Sequence, residues 1–209
     1  MNSSCSTYKE TYENPDRQCW EEKTFGKIKC EAFIDFQCSK SISSLGSIQE
    51  EKGKKIFFKQ VAGPQSPSVG ELFAHVQPFP IFVKNGSPWE TLHNDIEQIL
   101  NRLGYEVTDN SDDAKNIIEA DLTLLDVRSE PGGFTDLKGT TRARITFKII
   151  LRNNKGDEGW QEEFVGEHQI KVSYFYLEDY AKTLGKAYCE SLENFMQAAQ
   201  GPEFKSKIR

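Results

Sequence analysis

The sequence predicts an α+β fold in which a mainly antiparallel, mixed sheet carries two long helices on one face, a two-layer sandwich. Three observations lead there. Two segments, 88–103 and 177–199, repeat apolar residues at three and four positions. Several shorter runs alternate apolar and polar residues with the period of a strand. The clearest of those runs and the one that follows it flank the turn signal Asn153–Asp157, which makes them antiparallel neighbours.

Taken in order, residues 28–38 come first. Ile28, Cys30, Ala32, Ile34, Phe36 and Cys38 alternate with Lys29, Glu31, Asp35 and Gln37, and only Phe33 breaks the pattern of a half-buried strand. Residues 39–53 are polar and connect an arm, 1–53, to the main domain, 54–200. Lys55–Val61 is a short buried strand ended by Gly63-Pro64. Between 63 and 87, Pro64, Pro67, Pro78 and Pro80 with Gly70 and Gly86 predict a long loop, with Ile81–Val83 as an added edge strand.

Ser87 is placed to cap a helix, with Pro88 at its first position and Glu90 closing a capping box. Trp89, Leu92, Ile96, Ile99, Leu100 and Leu103 form its apolar stripe, and Gly104 stops it. Tyr105–Val107 is a short strand, 110–116 a polar turn, and Ala120–Arg128 a further strand broken by Pro131-Gly132-Gly133. In Thr141–Arg152 the residues Ala143, Ile145, Phe147, Ile149 and Leu151 alternate with Arg142, Arg144, Thr146, Lys148 and Arg152. The chain returns through Trp160–Lys171 to complete an antiparallel meander. Leu177, Tyr180, Ala181, Leu184, Tyr188, Leu192, Phe195, Met196 and Ala199 mark the second helix, and Gly201-Pro202 ends it. Residues 201–209 are a basic tail expected to fray.

At 209 residues and 37% hydrophobic content the chain can bury a sizeable core. Its 26 basic residues against 32 acidic ones exclude a protein built to hold nucleic acid by its phosphates. No run approaches the roughly 20 apolar residues of a membrane helix, and Met1 opens a polar run instead of a signal peptide, which is absent from this chain.

Cys5, Cys19, Cys30 and Cys38 fall in the first forty residues, and Cys189 stands apart. Their spacing fits no metal knuckle and no His is near, so disulfides in an oxidising compartment are preferred to zinc. Free cytosolic thiols are the other alternative. On a straight strand Cys30 and Cys38 lie about 27 Å apart at ~3.4 Å per residue, beyond the ~7 Å limit for a bridge. Both need other partners: Cys19 is the nearest candidate for Cys30, and Cys189 for one of the rest. The pairing stays open, since four cysteines allow three connectivities. Cys5, after Ser3 and Ser4, has the setting of a lipidated amino-terminal cysteine.

Catalytic motifs are missing. His75, His93 and His168 show no metal-ligand spacing, and no nucleophile elbow, P-loop or dinucleotide fingerprint follows a strand. Asp95, Glu97, Asp112, Asp113, Glu162, Glu163 and Glu167 read as solvated faces, since hydrolase chemistry needs acids converging in a cleft. No catalytic residue, metal or cofactor is expected. Two groups are candidate partner-binding sites. Arg142, Arg144, Lys148 and Arg152 line one face of a strand and suit an acidic partner or lipid headgroups, unless Glu162, Glu163 or Glu167 neutralise them. Phe73, Phe79, Phe82 and Trp89 surround the proline-rich loop and form either a contact surface or a lid over the core.

Ile99–Val107 at the first helix's end, Ala120-Asp121-Leu122-Thr123-Leu124 opening a strand, and Phe164-Val165-Gly166-Glu167 late in the hairpin resemble the YajG-like family of bacterial lipoproteins. The resemblance covers about 54–200. It implies an exported, non-catalytic protein, anchored by a lipid on Cys5 at the periplasmic face of the outer membrane. Such a protein would serve envelope protein partners as a scaffold or an assembly or transport accessory. The alternative is a periplasmic module binding a small apolar ligand or peptide between sheet and loop. The departure from the family is the arm, since nearly fifty residues separate Cys5 from the main domain.

Overall fold

The computed structural model describes residues 17–22, 27–35, 38, 53–63, 68–74, 77–84, 87–130 and 139–208. One long strand, β7 (Asn116–Glu130), organises the sheet, where β1 to β9 run in chain order. Along its length β7 pairs antiparallel with β8 (Gly139–Asn153), and β8 pairs antiparallel with β9 (Glu158–Val172). The other edge of β7 forks. Asn116–Ile118 run parallel with β3 (Lys55–Phe58), which also carries β6 (Glu106–Thr108), while Val127 and Arg128 run parallel with β4 (Ser68–Ala74). Beyond β4 follow β5 (Gln77–Val83), then β2 (Lys27–Ile34), then β1 (Arg17–Glu22).

Alternation fixes which face is core. Ala143, Ile145, Phe147, Ile149 and Leu151 of β8 are all buried, as the period of two requires. A bulge between Leu122 and Leu124 of β7 shifts the phase, which leaves Leu124 exposed on the outer face.

Both long helices cover the inner face. In α1 (Pro88–Arg102) the capping box is present: Glu90 N–H donates to Ser87 Oγ at 3.3 Å, and Ser87 N–H donates to Glu90 Oε2 at 3.1 Å. Leu92, Ile96, Ile99 and Leu100 bury its stripe. α2 (Leu177–Gln200) lies across the meander, so close to β9 that a Cβ on Gly166 would stand 1.9 Å from Ala187 O and 2.8 Å from Ser191 N. Only glycine permits that approach. Phe147, Trp160, Phe164, Phe195 and Phe204 fill the space beneath, with neighbouring ring centroids 5.0–6.5 Å apart.

Three elements differ from the sequence reading. The proline-rich stretch 63–87 contributes two strands, β4 and β5, paired with each other. Pro78 and Pro80 are two residues apart, so their missing N–H groups fall on the same side of β5, and β2 joins β5 only from Ile81 onward. Strand β5 therefore lies inside the sheet, not at its edge. Strand β7 extends well beyond 120–128 at its start. The tail does not fray: α3 (Pro202–Lys207) turns Phe204 inward, and Phe204 and Ile208 are both buried in the core.

Candidate functional site

Three consecutive aromatics, Tyr174-Phe175-Tyr176, join β9 to α2. Phe175 is the anchor: its ring lies on the backbone of Gly139, where a Cβ would meet Phe175 Cζ at 2.2 Å, and it packs 6.5 Å from Tyr180. With Phe175 seated inward, Tyr174 and Tyr176 face outward, 71% and 58% exposed, with ring centroids 6.3 Å apart. Tyr176 N–H donates to Asp179 Oδ2 at 3.4 Å, which holds the loop to the first turn of α2. These two are the most exposed large apolar side chains among the described residues. Paired tyrosines on a fixed loop offer large contact area with little conformational freedom to lose.

A second feature is the cleft where β4 leaves β7. It holds about 400 Å³ between Ser68, Gly70, Glu71, Leu125, Asp126 and Arg128. Its one guanidinium is already held, since Arg128 donates to Asp126 Oδ2 through Nε at 2.7 Å and Nη2 at 2.5 Å. Asp126, Glu130 and Glu71 together push Arg128 still further into its charged form. The lining is mostly polar, which does not suit the apolar ligand of the alternative reading.

Between the helices, Tyr188 of α2 donates to Asp95 of α1 at 2.7 Å. Burial raises the Asp95 carboxyl above the usual range, and the Tyr188 hydrogen bond partly offsets it. Burial, with Asp95 beside it, pushes the Tyr188 phenol well above its ordinary value. Asp95 is therefore part of a helix-to-helix tie and not of a solvated face.

The residues singled out by sequence distribute as follows. Cys38 and Cys189 stand at disulfide distance, with Cα atoms 5.0 Å apart. Cys19 stands opposite Cys30 in the β1–β2 register. Cys5 and His75 lie outside the described residues. Phe79 and Trp89 pack against the core, and Phe82 is half-buried with its ring 5.9 Å from Phe33. Phe73 lies in β4, its side chain outside the described residues. The four cations of β8 all face acids. Arg144 meets Glu167 at 3.1 Å, Arg142 meets Glu130 at 3.6 Å, and Arg152 meets Glu119 at 3.1 Å and Glu158 at 3.6 Å. Lys148 stands in register between Asp121 and Glu163. Exposed pairs of this kind neutralise one another and contribute little stability.

His93 stacks on Phe58 at 4.4 Å. His168 sits on β9, where burial and then Lys186 push its imidazole below the usual range. Among the described residues no three His, Cys, Asp or Glu side chains gather as metal ligands, and no helix is long and apolar enough to cross a membrane.

Sequence reasoning missed the tyrosine pair, although its signal was there. Of three successive aromatics only the middle one, or the outer two, can face the core.

No protein-family model matches the chain, and no curated protein does. Solved structures do. A Xanthomonas campestris protein of the family DUF330 superposes with a TM-score of 0.50 at 9% identity, covering 82% of this chain and 99% of that one. The two share a fold. A minor lipoprotein from Acinetobacter baumannii gives a TM-score of 0.39 at 8% identity, over 74% of this chain and 92% of that one. A DUF4136 protein from Bacteroides thetaiotaomicron gives 0.34 at 9% identity, over 74% and 91%.

Proposed function

We propose that this chain is a non-catalytic cell-envelope lipoprotein of the YajG-like kind. Cys5 anchors it at the periplasmic face of the outer membrane, and the Tyr174–Tyr176 loop contacts other envelope proteins. The observation that carries the location is the Cys38–Cys189 disulfide, which joins residues 151 apart in sequence. Disulfides form and persist in exported proteins, whereas the cytosol keeps thiols reduced. Ser3 and Ser4, small residues directly ahead of Cys5, support an acyl anchor in the same compartment.

The test is the intact mass of the protein from its native source, before and after reduction, with peptide mapping. The expected result is an acyl increment on the peptide carrying Cys5, a Cys38–Cys189 bridge, and a second bridge from Cys19 to Cys30. An unmodified chain with five free thiols overturns the reading. The contact role has its own test. Replacing Tyr174 and Tyr176 by Ser, at unchanged melting temperature, should weaken the partner crosslinked through this loop by about 30-fold, the loss of about 2 kcal/mol typical of an interface anchor. Undiminished crosslinking removes the loop from the proposal.

A further inference from the structure

We propose that the Cys38–Cys189 disulfide is a redox latch: it holds the β1–β2 hairpin on the sheet, and its reduction releases the hairpin and bares the edge of β5. The inference stands whether or not Cys5 carries a lipid.

Among the described residues the hairpin is held to the sheet by a short ladder, and β2 also touches α2. Strand β2 meets β5 over three register pairs, Ala32 with Ile81, Phe33 with Phe82 and Ile34 with Val83, and β1 pairs only with β2 among the described residues. Among the described side chains of β2, Ala32 and Ile34 are seated in the core, and Phe33 adds a ring contact to Phe82. The body is built differently, from 15-residue strands paired along nearly their whole length, with one bulge in each ladder, beneath α2. Elements with few buried contacts and short ladders open first.

The latch acts through tether length. With the bond closed, β2 ends at Ile34 and is fastened to α2 four residues later, at Cys38. With the bond open, the covalent route from β2 to the body runs from Ile34 to Lys55, where β3 begins. Lengthening that tether lowers the effective concentration of β2 at the β5 edge. The bond is itself part of the packing, since Cys38 is buried and Cys189 rests half-buried on α2.

Chemically the step is thiol–disulfide exchange. An external dithiol gives two electrons and two protons to the bond, Cys38 and Cys189 become thiols, and the dithiol closes to its own disulfide. Release leaves the N–H and C=O groups of Phe82, with the Lys84 N–H that donates to Ile34 O at 2.9 Å, open on the side that β2 occupied, an edge that accepts an extended strand.

Hydrogen exchange of the full-length protein, oxidised and then reduced with dithiothreitol, tests this. Thiol counting confirms each state. In the reduced protein the amides of 27–34 and those of Phe82 and Lys84 should exchange at least tenfold faster, while those of 116–130 and 139–172 keep their rates. The Cys38→Ser variant, which leaves Cys19 and Cys30 in place, should match the reduced pattern and so assign it to this bond. Unchanged exchange in 27–34 after confirmed reduction overturns the latch. Equal acceleration across β7–β9 overturns it too, because the bond would then support the whole fold. Oxidised protein with Cys38 and Cys189 free overturns it outright.

Discussion

The two wings that leave β7 are secured by different means. On one side, β8 and β9 continue the sheet with 15-residue strands, alternating side chains and a helix laid over them. Even the open edge of β9 is occupied at its centre, where Asn194 Nδ2 donates to Val165 O at 3.0 Å and Glu167 N–H donates to Glu190 Oε2 at 3.1 Å. Side chains of α2 thus cover backbone groups that another strand would otherwise find. On the other side, β4 reaches β7 over two register pairs and β2 reaches β5 over three. That wing rests on single positions: a glycine at the fork, prolines on one side of a strand, and two cysteines at disulfide distance at the end. A wing built from local periodicity is redundant, and a wing built from long-range contacts is only as firm as its few attachments.

The sharpest way to break this comparison is to add one methyl group to each wing. A Cβ at Gly166 would stand 1.9 Å from Ala187 O, and a Cβ at Gly70 would stand 1.9 Å from Val127 O. The clashes are equal in distance and unequal in consequence. Gly166→Ala lifts α2 from the meander, so it should lower stability by about 3 kcal/mol or more. For a chain of this size that is roughly a 10 °C fall in Tm. Gly70→Ala disturbs only the junction of β4 with β7 and should cost about 1–3 kcal/mol, leaving amide protection in β8 and β9 intact. Equal losses of protection in the two variants would mean that the wings unfold together.

The Asp95–Tyr188 bond probes what joins α1 to α2. Tyr188→Phe leaves a largely buried carboxylate without its phenol donor, and should cost about 1.5–3 kcal/mol at neutral pH. Asp95→Asn keeps an acceptor for the phenol and removes the charge that burial disfavours. A raised folded-state pKa means stability that is fully present below the unfolded value of 3.8 and is lost as pH rises through the folded value. At pH 7 Asp95→Asn should therefore equal or exceed the wild type in Tm, the reverse of Tyr188→Phe. Parallel losses in the two would show that the ion itself, not the hydrogen bond, holds the helices.

Sequence made the redundant wing legible and the dependent wing obscure, for the same physical reason. The capped start of α1 and the alternation of β8 are local patterns, complete within a few residues. Strand β4 has no such pattern: Gly70 marks it only because Val127 O lies against it, and Val127 is 57 positions away. Phe204 was hidden among the charges of the tail, since its neighbours Tyr105, Trp160 and Phe195 come from three separate stretches of the chain. The contact between Asp95 and Tyr188 spans 93 residues. Of the candidate site, the aromatic triplet was visible, but which ring turned inward depended on Gly139, in another strand.

The smallest effect lies where the two wings meet. Glu119, on the outer face of β7, pairs with Lys59 just past β3 and with Arg152 on β8, so one carboxylate ties the neighbours on both sides. The Lys59 hydrogen bond, aided by Arg152 and opposed by partial burial, holds its carboxyl below the usual 4.5. A depressed folded-state pKa means stability that is present above the unfolded pKa and is lost as pH falls through the folded one. Glu119→Gln should thus melt about 2–4 °C below the wild type at pH 6, corresponding to the ~1 kcal/mol upper range of exposed pairs. That gap should begin to close near pH 4.5 and vanish below the folded pKa. Asp95 and His168 titrate in both proteins and cancel in the difference, so the closing gap reports Glu119 alone. A gap that persists undiminished on acidification would assign the effect to packing of the side chain, and the seam between the wings would then owe nothing to charge.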